Sequence, residues 1–207
     1  HRKHTSISEI PKFIPSFPGF NFISEIENLS LLFNPEKPFF VFIGGKKTST
    51  KEQVISKFLD KAEGIILGGV MAVEFYRAKN INIGKTEFDE KSVQIIKEKF
   101  LDSEGNASKK IIIPENFIIL REEKKIEVNI NEILKSDFIY DIAPSFFESL
   151  KKEIISAKMI LWNGPMGFVE QGFMEGTLKL NSIFKSSNAK IIAGGGATVD
   201  FIASFII

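Results

Sequence analysis

The chain has 207 residues, of which 43% are hydrophobic and 26% charged, with a formal net charge of +1. That length suits one large domain, or one domain and a fragment, with enough apolar side chains for a sizeable core. The balanced charge gives no support to a general nucleic-acid or membrane-surface role, and the absence of cysteine excludes disulfides, thiol catalysis and thiolate metal sites while being compatible with a cytosolic home.

The only histidines are His1 and His4, so neither a Ser-His-Asp triad nor a His-rich zinc site can form in the core. No apolar run approaches the roughly 20 residues of a membrane helix, and no signal peptide is visible. The chain opens on "HRKH" without an initiator Met and closes on the apolar "FIASFII". Both ends read as cut, which suggests a piece of a longer protein.

Residues 1–20 carry Pro11, Pro15 and Pro18 and read as irregular. In "NFISEIENLSLLF" Phe22, Ile26, Leu29 and Phe33 recur at helical spacing. "NPEKP" closes that helix, because a residue before proline is pushed out of the helical region. Then come six short apolar runs: "PFFVFIGG", "GIILGG", "KIIIP", "FIYDIAP", "MILWNGP" and "KIIAGGG". Most lead into amphipathic helical patterns, such as Val54, Ile55, Phe58 and Leu59 after the first. Short non-alternating runs between helices predict an α/β fold, a three-layer doubly wound parallel sheet buried on both faces. The segment 115–136 alternates and is charged, and reads as a β excursion at the sheet edge. Trp162 is expected in the core at a strand end. Asp141 is expected to end a strand at the ligand edge, where packing or capping of the helix after Pro144 explains it as well as binding does.

Four runs end in glycine-bearing turns: Gly44-Gly45, Gly68-Gly69, Asn163-Gly164-Pro165 and Gly194-Gly195-Gly196. In an open α/β sheet the loops at the carboxyl ends of the strands form the ligand crevice. The first loop continues "GGKKTSTKEQV", where Ser49 and Glu52 have the spacing of a capping box. Lys46, Lys47 and Lys51 crowd the same helix start. Lysines are disfavoured beside the positive end of a helix dipole unless an anion is bound there. A Walker loop is absent, and "GGGATV" lacks the third glycine of a dinucleotide fingerprint. The lysine pairs Lys109-Lys110 and Lys124-Lys125 read as solvated.

Taken in order, "HRKHTS", "GGKKTSTK", "LGGVMA", "IGK", "WNGPMG" and "AGGGATV" resemble phosphoglycerate kinase over essentially the whole chain. The resemblance implies that 1–20 end the phosphoglycerate-binding domain, 21–35 form the interdomain helix and 36–207 are most of the nucleotide-binding domain. It implies reversible phosphoryl transfer between 1,3-bisphosphoglycerate and MgADP, giving 3-phosphoglycerate and MgATP, in a cytoplasmic glycolytic enzyme that is monomeric when complete. Position by position, Lys47 and Lys51 match lysines on the nucleotide phosphates and the transferring group. Gly45, Gly68 and Gly69 match backbone lining the nucleotide, and Asn163, Pro165 and Glu170 match the segment around its sugar and base. Gly195, Gly196 and Thr198 match the phosphate loop and helix start, and Arg2 matches an arginine on the phosphoglycerate. Such transfer needs positioning and charge stabilisation rather than covalent help.

Some positions depart from the family pattern. Ala197 stands where the family has an aspartate near the nucleotide-bound Mg²⁺. Val70 replaces a frequent third glycine, Glu87 stands where an apolar residue usually meets the base, and Lys46 is larger than expected. A degenerate or truncated nucleotide-binding module without catalysis is therefore the alternative. A dehydrogenase is disfavoured by the missing glycine fingerprint and ribose carboxylate.

Overall fold

The structure, a computed structural model, describes residues 4–45, 48–104 and 107–205. His1, Arg2, Lys46 and Lys47 lie outside the described residues. The chain divides into two compact units, 1–35 and 36–207. In the first, a short helix α1 (Thr5–Ser8) precedes α2 (Phe20–Ser30), which runs on as a 3-10 turn over Leu31–Phe33. The helical spacing of Phe22, Ile26 and Leu29 is realised, yet all three stay substantially exposed.

The second unit places β1 (Phe39–Ile43), α3 (Glu52–Leu59), β2 (Gly64–Leu67), α4 (Gly69–Ala78), α5 (Glu90–Lys99) and β3 (Ile111–Ile112) in chain order. A hairpin of β4 (Asn116–Arg121) and β5 (Lys124–Asn129) leads to β6 (Ile139–Ile142). Then come α6 (Pro144–Ser149), α7 (Lys151–Ser156), β7 (Met159–Asn163), α8 (Glu175–Phe184), β8 (Lys190–Gly194) and α9 (Gly196–Phe205). Five strands form a parallel sheet in the order β3-β2-β1-β7-β8. The central strand β1 is buried along its whole length, which is why its sequence, "FFVFI", shows no alternation. Phe42, Ile66, Ile160 and Trp162 pack with Leu180 and Phe184 of α8 into one core. Trp162 is buried, as expected, and its Nε1 donates to the Gly164 carbonyl at 2.9 Å.

The apolar run "FIYDIAP" does not join that sheet. Its strand, β6, pairs antiparallel with β4 in a separate three-stranded sheet of order β5-β4-β6. The expectation of six parallel strands is corrected accordingly. An apolar run reports burial, not partner or direction, and here both faces of the small sheet are covered. Phe117 and Ile119 of β4 meet Ala72, Val73 and Tyr76 of α4. On the opposite face Ile118 packs with Phe173, and the Tyr140 ring stacks on Phe173 at 4.1 Å. The β excursion expected at 115–136 is this hairpin, but it is held against the strand it precedes and not at the edge of the parallel sheet. Arg121 closes it with a 2.6 Å ion pair to the nearly buried Asp137.

Candidate functional site

Strands β2, β1, β7 and β8 are neighbours and parallel, so the loops that follow them emerge side by side at one edge. Their glycines allow the backbones to touch. A Cβ on Gly44 would stand 1.9 Å from the Pro165 carbonyl oxygen. Gly69, at φ +58°, lies against Gly45, and its N–H donates to the Met166 carbonyl at 2.7 Å. The Gly44 N–H donates to the Asn163 carbonyl at 2.9 Å. Asn163 is the last residue of β7, and its Oδ1 accepts from the Lys51 ammonium. Burial holds the Lys51 pKa below its ordinary value.

Thr198 knits the last loop to the third. Its buried hydroxyl accepts the Gly164 N–H at 2.6 Å, while its own N–H donates to Gly195. Gly195 and Gly196 form the turn into α9, and Gly68 and Gly69 the turn into α4. Two ten-residue helices therefore present their positive ends at this edge. Gly45, Gly68, Gly69, Lys51, Asn163, Pro165, Gly195, Gly196, Ala197 and Thr198 are gathered here. Lys47 and Arg2 lie outside the described residues.

From these loops a cavity of about 490 Å³ runs toward the small sheet, a size typical of small-molecule sites. Gly45, Gly69, Pro165 and Ala197 line it, together with the aromatic rings of Phe88, Phe117, Tyr140 and Phe168. The carboxylates Glu87, Asp89, Asp141 and Glu170 also line it, as does Val70. Asp141 is nearly fully buried, and its two oxygens accept the Ile142 and Gly176 N–H groups at 2.8 and 2.9 Å. It thus serves the start of α8 rather than the helix after Pro144. Burial pushes its pKa up to about 7.

The Ser49–Glu52 capping box does not form. Lys51, with no side-chain cap, precedes α3, because the Ser49 hydroxyl is already committed to Asp89 Oδ2 at 2.9 Å. Glu52 takes an ion pair from Lys99 instead. Lys125, expected to be solvated, pairs with Glu175 and sits over the Phe173 ring. Sequence reasoning missed Glu74, which is fully buried in α4 and accepts the Thr48 N–H at 2.8 Å. A lone carboxylate inside the apolar "VMAVEFY" was the available signal.

Backbone amides, two helix starts and Lys51 suit the phosphates of a nucleotide, and the aromatic end suits a flat base. Mg²⁺ prefers carboxylate and phosphate oxygens. Among the described residues no cluster of three His, Asp or Glu side chains could hold a metal, and position 197 offers a methyl group. The donor set therefore fits an anion and provides no metal carboxylate at the helix start.

Comparison with known proteins agrees in kind. A family model described as phosphoglycerate kinase matches residues 1–207. Phosphoglycerate kinase from Coprothermobacter proteolyticus is 32% identical over 98% of this chain and 52% of its own length. The solved phosphoglycerate kinase from Coxiella burnetii superposes with a TM-score of 0.76 at 32% identity, covering 88% of this chain and 48% of that one. That from Pyrococcus horikoshii OT3, at 23% identity, shares the fold with a TM-score of 0.82 over 100% of this chain and 54% of its own. The chain spans about half the length of the curated relatives it matches.

Proposed function

The chain belongs to the phosphoglycerate kinase family, and from that premise we propose that it supplies the nucleotide site for reversible phosphoryl transfer between 1,3-bisphosphoglycerate and ADP. The observation that carries this reading is the meeting of four glycine loops, two helix N-termini and Lys51 at one edge of an aromatic cavity. The base would lie between Phe117, Tyr140 and Phe168, with Glu170 near the sugar. The phosphates would point at the amides of Gly195 and Gly196 and at Lys51 and Lys47. Magnesium carried on the nucleotide would neutralise phosphate charge. This chain's part is to orient the phosphates and exclude water.

Lys51 is half-buried and already hydrogen-bonded, so it is positioned before the ligand arrives. Preorganised charge of this kind costs no reorganisation in the transition state. Turnover would belong to the full length typical of the family, with Arg2 contributing to the phosphoglycerate side. By itself this chain is expected not to turn over. A cytoplasmic, monomeric, glycolytic enzyme is the corresponding whole.

Ala197 favours a second reading, a module that holds nucleotide without transferring phosphate. Calorimetry with ADP, with and without Mg²⁺, tests both. The chain should bind ADP with weak magnesium dependence, and Ala197→Asp should bind tighter, by about tenfold, only when Mg²⁺ is present. No binding by either protein would refute the nucleotide site. Strong magnesium dependence without the aspartate would refute the role given to position 197.

A further inference from the structure

Glu74 is a carboxylate with no solvent exposure, set between Val73 and Phe75 in a helix that otherwise buries apolar side chains. Burying a carboxylate is costly unless hydrogen bonds compensate it. Its Oε2 accepts the Thr48 N–H at 2.8 Å and its Oε1 accepts the Asp89 N–H at 3.2 Å. These two amides belong to segments far apart in sequence: the lysine loop after β1 and the entry to α5. The same two segments are tied again by side chains. The Ser49 N–H donates to Ser92 Oγ at 3.0 Å, and the Ser49 and Ser92 hydroxyls both donate to Asp89 Oδ2 at 2.9 Å.

From Thr48 the tie passes to the site. The Lys51 N–H donates to the Thr48 carbonyl at 2.8 Å, and the Lys51 ammonium reaches Asn163. Helix α4, which carries Glu74, begins at Gly69, whose N–H is fixed on Met166 in the third glycine loop. One helix therefore holds two of the converging loops, one by its first amide and one by a side chain a turn and a half later. A side chain chosen for packing alone would be apolar here. Burial raises the Glu74 pKa, and the hydrogen bonds from Thr48, Asp89 and Ser92 oppose that rise.

We propose that Glu74 is a positioning residue for the phosphate end of the site: it pins the segment that runs from Thr48 to Lys51 by accepting the backbone amides of Thr48 and Asp89. The inference rests on the nucleotide reading given above. It assigns Glu74 no contact with ligand, and it makes the affinity for phosphate, not for the base, depend on a buried carboxylate.

The test is Glu74→Gln, which keeps the shape but turns one acceptor into a donor facing an N–H. ADP and adenosine binding are measured by calorimetry, and amide hydrogen exchange is followed on the free protein. ADP should weaken by at least about tenfold, the loss expected for a charge-assisted hydrogen bond, while adenosine stays within about twofold. Exchange at Thr48 and Asp89 should quicken by at least about tenfold, with Ile65–Leu67 in β2 unchanged. Ser49→Ala, which cuts an outer tie of the same loop without stranding a buried charge, should show a smaller loss of the same kind, about threefold, and serves if the first variant does not fold.

Equal losses for ADP and adenosine, or quickened exchange throughout β2, would mean general loosening and would overturn the proposal. So would unaltered exchange at Thr48. A wild-type chain that binds neither ligand would defeat the nucleotide reading and this role with it. The exchange data would then tell separately whether the anchor exists.

Discussion

Replacing Asp141 by Asn should change how stability depends on pH. In the folded chain burial pushes the Asp141 carboxyl up to about 7, against an ordinary value of 3.8. The two N–H donors on its oxygens oppose that shift, Glu175 adds to it, and Lys125 opposes it weakly. Between pH 4 and 7 the unfolded chain has released this proton while the folded chain still holds it. The folded state therefore binds more protons, and stability must fall as pH rises across that window. The shift of about three units corresponds to roughly 4 kcal/mol over the whole range. Asn has no charge to desolvate and keeps one acceptor, so its profile lacks this fall. Urea unfolding at pH 4, 5, 6, 7 and 8 on both proteins isolates the difference, because every other group titrates in each. At pH 4 the two should lie within about 1–2 kcal/mol of each other, and the wild type should then lose ground steadily to Asp141→Asn, levelling above pH 7. Parallel profiles would show that the two backbone hydrogen bonds stabilise the carboxylate as much as burial penalises it.

Gly44→Ala should lower stability by about 1–3 kcal/mol, since its Cβ would fall 1.9 Å from the Pro165 oxygen and push two site loops apart. Gly194→Ala, with nothing nearer than 3.5 Å, should unfold at the wild-type temperature; thermal melts compare them. The Arg121 guanidinium holds the Asp137 carboxyl below the usual carboxylate range, so this pair contributes stability above about pH 4 that is lost as pH falls through the depressed value. Acid-unfolding curves of Asp137→Asn should lack that part of the decline, and an unaltered acid limb would contradict it.

Strands β1, β2 and β7 of the large sheet were legible because they are buried on both faces and read as unbroken apolar runs, while the edge strand β8, mostly exposed or half-buried, was marked by its apolar pair and the glycines after it. "FIYDIAP" looked the same, yet its strand pairs with a hairpin, a choice made by tertiary contacts of Phe117 and Ile118 that periodicity does not encode. The glycine turns could be placed at one edge from the strand pattern alone. Their mutual contact could not, since it depends on strand order. Ser49 had the spacing of a cap, but Asp89, 40 residues away, took its hydroxyl. The aromatic wall of the cavity was equally hidden, because Phe88, Phe117, Tyr140 and Phe168 come from four separate segments.

The cavity is shared between two sheets, and that division makes the site modular. The glycine loops belong to β1, β2, β7 and β8, whereas Phe117, Ile139 and Tyr140 come from the small sheet. The hairpin β4–β5 and strand β6 form one contiguous insert that packs against α4 and Phe173 and is tied to the start of α8 through Asp141. A designer could exchange that insert, or a lineage could let it drift, and alter what lies against the rings while the loop edge kept its geometry. Ligand preference and phosphate grip would then be separately tunable traits of one scaffold.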